Sequence, residues 1–155
     1  MKSSRLRLID GGVLVASLVG LGDAVYLTVQ HLTGQSVRCT IVTGCSAVLA
    51  SRYAAIGGVP TAAYGAIAYF LVCSLSILIL FADAKESRRL RLSLCLLAGL
   101  MGGATLWFLY LQAFVLRAYC SFCLLSASAT LLIVLLSVLG WRAVGDEARA
   151  PGSRG

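Results

Sequence analysis

The sequence predicts an all-α membrane protein: a four-transmembrane-helix bundle with an exoplasmic loop that carries a short surface helix. Three observations predict it. Hydrophobic residues make up 59% of the 155 and charged residues 12%, with a mean hydropathy of +0.92, which is too apolar for an ordinary soluble domain. Four apolar stretches, 9–30, 59–82, 92–115 and 120–141, each reach the roughly twenty residues that cross the hydrocarbon core as a helix. None shows the alternation of barrel strands, so each must satisfy its backbone hydrogen bonds within itself.

Lys2, Arg5 and Arg7 precede the first stretch. This basic start and apolar run resemble a signal peptide, but the apolar pattern continues through Val25, Tyr26 and Leu27, and its removal would leave the other loops on inconsistent sides. Asp23 lies late in this span. An acid in an apolar helix is costly and invites a functional reading, so snorkelling toward water and proton transfer both stay open for it. His31 is the only histidine and a candidate participant in proton supply.

Residues 31–58 form the only long connection, punctuated by Gly34, Thr43-Gly44 and Gly57-Gly58. Helical potential over 46–55 predicts a short helix on the membrane surface. Pro60 fits the first turn of the second span, where its missing N–H costs nothing. The turn 83–91 is short and charged, and Lys85, Arg88, Arg89 and Arg91 lie in it. In the third span Gly99 and Gly103, with Gly102 beside them, predict a close helix contact. The residues before Tyr119 link spans three and four tightly. One membrane domain is expected over 1–142 and a disordered cytoplasmic tail over 143–155, which holds Gly145, Pro151 and Gly152.

The formal net charge of +7 needs no nucleic acid to explain it. With Arg142, Arg149 and Arg154 after the fourth span, ten of the 13 basic residues fall on one side, leaving Arg38, Arg52 and Arg117 on the other. The positive-inside rule then puts both termini in the cytoplasm. Cys39, Cys45, Cys120 and Cys123 consequently face the exoplasmic side, where disulfides persist.

Two cysteine pairs that can meet at one membrane face suggest a dithiol relay. In Cys120-Ser121-Phe122-Cys123 the first sulfur lies at a helix start, where free N–H groups and the positive end of the dipole favour the thiolate. Cysteine is also a common small apolar residue in buried helices, and packing accounts for Cys73 and Cys95, which fall inside spans two and three. Four thiolates could bind zinc, but an oxidising exterior favours disulfides, and no metal is expected. Covalent haem would need His after Cys123, where Leu124 stands. Tyr64, Tyr69, Trp107, Phe108, Phe114, Tyr119 and Phe122 could line a flat aromatic pocket, although interfacial belts and helix packing explain such residues as well. Tyr119 and Phe122 flank the cysteine pair and are the stronger candidates.

The ordered set Cys39-x5-Cys45, Ser51, Gly57-Gly58-Val59-Pro60, Tyr64-Gly65 opening a span, and Cys120-x-x-Cys123 heading the last one resembles the vitamin K epoxide reductase family. Gly44-Cys45-Ser46 followed by Ser51 and Tyr53-Ala54 looks like its loop signature. The resemblance runs over about residues 20–136 and is closer to the bacterial branch. It implies a four-helix protein of the bacterial inner membrane that passes electrons from a thioredoxin-fold partner to a quinone, ubiquinone or menaquinone, and supports disulfide bond formation. Carried over by position, Cys120 and Cys123 are the active-site pair, with Cys123 beside the quinone. Cys39 and Cys45 are the shuttle pair, Cys45 bonding Cys120 transiently and Cys39 receiving the partner. Ser51 matches a serine near the active site, and Tyr119, Phe122 and Tyr64 are the aromatic candidates for the quinone.

Two departures from the family qualify that reading. Animal members carry an Asn and a Tyr on the vitamin K ring where this chain has Thr61 and Ala127, which argues against epoxide reduction. Many bacterial members carry a fused thioredoxin-like domain that this chain lacks, so the partner is expected to be a separate exoplasmic dithiol protein. The same electron path could serve reduction of a quinone or its epoxide by partner thiols. A membrane scaffold braced by structural disulfides is the alternative from outside enzymology.

Overall fold

Apolar sequence uninterrupted by proline folds as long helices, and Pro60 and Pro151 are the only prolines. The structure is a computed structural model and describes residues 4–34 and 45–149. Helix α1 spans Ser4–Leu32, the short α2 Cys45–Leu49, strands β1 and β2 Ala55–Ile56 and Val59–Pro60, α3 Thr61–Phe81, α4 Ala84–Tyr110 and α5 Ser121–Arg149. A π-helical turn, Leu111–Leu116, continues α4. Among the described residues four helices are long and apolar enough to cross a membrane.

The chain belongs to a bundle in which α1 packs beside α3 and α5, and α4 packs beside the same two. Its core is Val13, Tyr69, Val72, Ile79, Leu94, Ala98 and Ile133, all nearly inaccessible. Leu8, Phe70, Phe81, Leu96, Leu100 and Leu106 point outward and are more than half exposed. Such a surface is an aggregation hazard in water and ordinary in lipid.

Both diagonals of the bundle are closed by buried polar groups. Arg91 Nη2 of α4 reaches Asp10 Oδ2 of α1 at 2.7 Å, with each side chain 3% exposed. Tyr69 of α3 donates to the Ser126 carbonyl of α5 at 2.7 Å, and its hydroxyl lies 2.7 Å from Thr130 Oγ1 and 2.9 Å from Ser126 Oγ. Glycines make room for both. A Cβ on Gly20 would run into the Tyr69 ring, and one on Gly140 would lie 2.8 Å from Arg91 Nη1.

Several elements depart from the sequence reading. Helix α4 begins at Ala84, so the stretch 83–91 expected as a turn is almost wholly helical and only Ala82 and Asp83 separate α3 from α4. Lys, Glu, Arg and Leu are strong helix formers, and Asp83 precedes the first turn in extended backbone. Helix α5 continues past residue 142 to Arg149, where Ala143 and Ala148 favour continuation over the disordered tail expected. The surface helix covers 45–49 rather than 46–55. Gly99 and Gly103 have no neighbouring atom within 4 Å of a built Cβ, and the close approach is at Gly102, against Val134 at 3.2 Å. The helical period puts Gly102 on the face toward α5 and its two neighbours on the outer one.

Gly57 and Gly58, with φ of 60° and 81°, make a two-residue turn between β1 and β2. Positive φ at both central residues is the demand of a type I′ hairpin. Pro60 ends β2 immediately ahead of α3, one residue before the first-turn position expected.

Gly20→Ala should lower stability by about 1–3 kcal/mol through overpacking against Tyr69. Thermal unfolding in nanodiscs checks this, and in a double-mutant cycle Tyr69→Ala should absorb most of the Gly20 effect.

Candidate active site

Helix α5 starts where Cys120 supplies the cap. Its carbonyl accepts the Leu124 N–H at 3.0 Å, and its Sγ lies 3.4 Å from the Cys123 N–H. A side-chain acceptor at the N-cap satisfying the third helical N–H is the geometry usually supplied by Ser, Thr or Asp. Here sulfur takes the place of oxygen. The thiol is 0% exposed, yet it is pulled down from its usual 9 to about 7, first by the Cys123 thiol, then by the Cys123 and Phe122 backbone N–H groups. Burial and the Asp23 carboxylate push the other way. Below about pH 7 the proton stays on sulfur, and above it the nucleophilic thiolate predominates.

The connection before α5 holds this cap in place. Gln112, 3% exposed, accepts the Cys120 N–H through Oε1 at 3.0 Å. Its own carbonyl accepts the Ala118 N–H at 3.2 Å, closing the π-helical turn. Arg117 then takes the left-handed conformation, φ 48° and ψ 35°, which reverses the chain within a few residues. A non-glycine residue there costs about 1–2 kcal/mol. Gln112 was not singled out by sequence reasoning; the available signal was an amide in an apolar span eight residues ahead of the C-x-x-C.

Behind Cys123 lies a cavity of about 370 Å³ between α1, α3, α4 and α5. Its wall is mostly apolar, from Ala24, Leu27, Leu97, Met101, Phe108 and Ala127, with polar groups from Asp23, Ser51, Thr61, Gln112, Ser126 and Thr130. Ser126 and Thr130 follow Cys123 at helical spacing, so they share its face. Helix α2 covers the same end: Val48 and Leu49 pack against the Leu27 and Cys120 cluster. Hydrogen bonds tie that cover down, from Thr61 N–H to the Ala54 carbonyl at 2.8 Å, Thr61 Oγ1 to the Tyr53 carbonyl at 2.9 Å, and Tyr64 Oη to the Ile56 carbonyl at 3.3 Å.

The candidate residues separate into two groups. Cys123, Ser51, Tyr64, Tyr69, Phe108 and His31 all line the cavity. Ser51 Oγ donates to the Val48 carbonyl at 2.7 Å, which closes the turn after α2. Tyr119 and Phe122, the stronger aromatic candidates from sequence, do not line it, and neither do Trp107 and Phe114. Phe122 is one residue, about 100° of helix, away from Cys123, and its ring packs on Tyr26 of α1 at 5.2 Å between centroids. Trp107 and Phe114 stack on either side of Tyr110 at 5.9 and 5.1 Å, and all three rings are at least half exposed. Cys39 lies outside the described residues, and of Cys45 only the backbone is described, as the first residue of α2. Cys73 and Cys95 sit within α3 and α4, where Cys95 Sγ lies 3.3 Å from the Ser137 carbonyl.

The sequence matches the vitamin K epoxide reductase family over residues 12–138. The chain belongs to that family. Its members are membrane oxidoreductases, and the four apolar helices here form the corresponding multi-pass bundle. The chain is 34% identical over 123 residues to the thiol-disulfide oxidoreductase LTO1 of Arabidopsis thaliana, an overlap of 75% of this chain and 32% of that protein. It thus spans about a third of the length of that relative. Thr61 and Ala127 both face the cavity.

Cys123→Ala removes the leading cause of the low Cys120 pKa. It should move the pH at which Cys120 reacts with methyl methanethiosulfonate up from about 7 toward the ordinary thiol range, read by mass spectrometry across a pH series. Gln112→Leu leaves a buried N–H unpaired and should cost about 1–3 kcal/mol in thermal unfolding.

Proposed function

We propose that this protein is a thiol:quinone oxidoreductase of the bacterial inner membrane. A separate exoplasmic thioredoxin-fold dithiol protein gives electrons to Cys39 and Cys45, which pass them to Cys120 and Cys123 and on to ubiquinone or menaquinone, in support of disulfide bond formation. The observation that carries this reading is the position of the C-x-x-C pair. Cys120 caps α5 beneath the helix that begins at Cys45, while Cys123 faces the apolar cavity. The Arabidopsis relative, a thiol-disulfide oxidoreductase, points the same way.

The cavity suits a quinone ring. It is apolar on most of its wall, with a few polar groups to orient carbonyl oxygens. When bound, a quinone supplies an acceptor for two electrons and two protons. The chain does the rest. A partner dithiol reduces Cys39–Cys45 through a mixed disulfide. The Cys45 thiolate then attacks Cys120 Sγ in the Cys120–Cys123 disulfide, and Cys123 leaves as a thiolate that takes up a proton to become the thiol. Cys39 attacks Cys45 in turn and frees Cys120. Exchange of this kind proceeds fastest when the attacking thiol has a pKa near ambient pH, which Cys120 meets in the reverse direction.

With both termini cytoplasmic, the basic ends of α1, α4 and α5 lie on the cytoplasmic side and the cavity opens on the periplasmic or extracellular side. Single cysteines placed at Gln35 and Arg89, each in a chain otherwise free of cysteine, report this. An impermeant maleimide should modify the first in intact cells and spare the second, and the opposite result would invert the topology.

The decisive experiment is quinone reduction by the purified protein with a reduced thioredoxin-fold donor, followed by absorbance. Cys123→Ser should abolish turnover and let a Cys45–Cys120 disulfide accumulate, because Cys120 can still open the Cys39–Cys45 disulfide at Cys45 while no Cys123 thiol remains to displace Cys45 from it. Cys120→Ser should form no such bond. Peptide mass spectrometry after acid quench and thiol blocking distinguishes the two, and a Cys39–Cys120 bond in Cys123→Ser would contradict the assigned order of the relay.

A further inference from the structure

Asp23 is a buried carboxyl with nothing to pair it among the described residues. It lies on α1 inside a membrane span, is 8% exposed, and neither carboxyl oxygen has a hydrogen-bond partner among the described residues. The other buried acid, Asp10, is held by Arg91 at 2.7 Å. A bundle that can place an arginine against one buried carboxylate has left the second without one. An unpaired carboxyl in an apolar interior costs several kcal/mol and is rarely kept for packing. Its position is specific: Asp23 lines the same cavity as Cys123 and lies near enough to Cys120 to oppose ionisation of that thiol.

We infer that Asp23 is the proton relay of the active-site pair, taking the Cys123 thiol proton as the pair is oxidised and delivering it to the acceptor in the cavity. The inference rests on the thiol:quinone reading above. Oxidation forms the Cys120 Sγ–Cys123 Sγ bond and releases two electrons and two thiol protons. Both electrons go to the quinone, which becomes the quinol by gaining two protons. Cys120, at the helix start beneath α2, gives its proton to water. Cys123 faces the apolar cavity, and on the cavity wall the Asp23 carboxylate is the base at hand. Asp23 carries that proton to one quinone oxygen, and water at the exoplasmic mouth supplies the other. The remaining titratable groups on the cavity wall are His31 of α1, Tyr53 of the loop, and Tyr64 and Tyr69 of α3, while α4 contributes none among the described residues. Tyr69 is committed to Ser126 and Thr130, and Tyr64 to the Ile56 carbonyl.

The test uses the full chain in nanodiscs, with Asp23→Asn and Asp23→Glu. Infrared difference spectra between dithiol and disulfide forms, recorded without quinone and with isotope-labelled aspartate, should show a carboxyl band that changes with oxidation. Asp23→Asn should lose that band and reduce a soluble quinone analogue about a hundredfold more slowly, the usual reach of a positioned acid or base. Asp23→Glu should keep a redox-linked carboxyl band and recover part of the rate. An unchanged rate in Asp23→Asn overturns the proposal, as does a wild-type spectrum with no redox-linked aspartate band, a reading available even if the variant is too unstable to purify. Absence of quinone reduction in the wild type, with the band present, would instead overturn the thiol:quinone reading and leave Asp23 as the acceptor of the thiol proton.

Discussion

Inside an apolar slab a hydroxyl that enters the bundle has to be answered from within it, and Tyr69 is answered on the far side of the core by two side chains and a carbonyl of α5. That reach sets much else. The ring needs the space of Gly20 on α1, so three helices are spaced by one side chain. Its hydroxyl meets α5 at Ser126 and Thr130, one and two turns below Cys123, which fixes the rotation of α5 and so the direction in which Cys123 points. The same ring forms part of the cavity wall. Replacing the phenol by an apolar group of equal size would keep the packing and release the rotation.

The C-x-x-C end is organised by a second set of constraints. The Cys120 thiol at the N-cap is drawn toward ionisation first by the Cys123 thiol and then by the N–H groups of the helix start, without any cationic side chain. The cap itself depends on Gln112, whose amide is positioned by an irregular turn and a left-handed Arg117. Local backbone strain is thereby concentrated next to the reactive sulfur, where several hydrogen bonds over-determine it.

Hydropathy and charge made the four spans legible because length and composition alone decide whether a helix can cross lipid. The cysteine spacing made the C-x-x-C at a helix start legible for a similar reason: capping is a local property. Facing was much less legible. Tyr119 and Phe122 adjoin the pair in sequence, yet rotation along α5 takes Phe122 to Tyr26 and leaves the wall to Tyr64, Tyr69 and Phe108, which come from other helices. Gly99 and Gly103 had the right spacing for a close contact and lie on the wrong face, whereas Gly20 and Gly140 have no motif around them and admit a ring and a guanidinium. Gln112 belongs with these, since its partner is reached only by a π-helical turn that no residue pattern announces.

The Asp10–Arg91 pair carries a consequence for biogenesis. Its members are 81 residues apart, on the first and third spans. A growing chain therefore carries a lone carboxyl at the cytoplasmic edge of its first span long before the guanidinium that answers it has been synthesised, and until then that carboxyl has to turn toward water at the membrane surface. Until α4 arrives, the Asp10 end of α1 lacks the partner that closes it. Insertion and assembly are then not separable stages for this bundle, because its first helix is completed by its third.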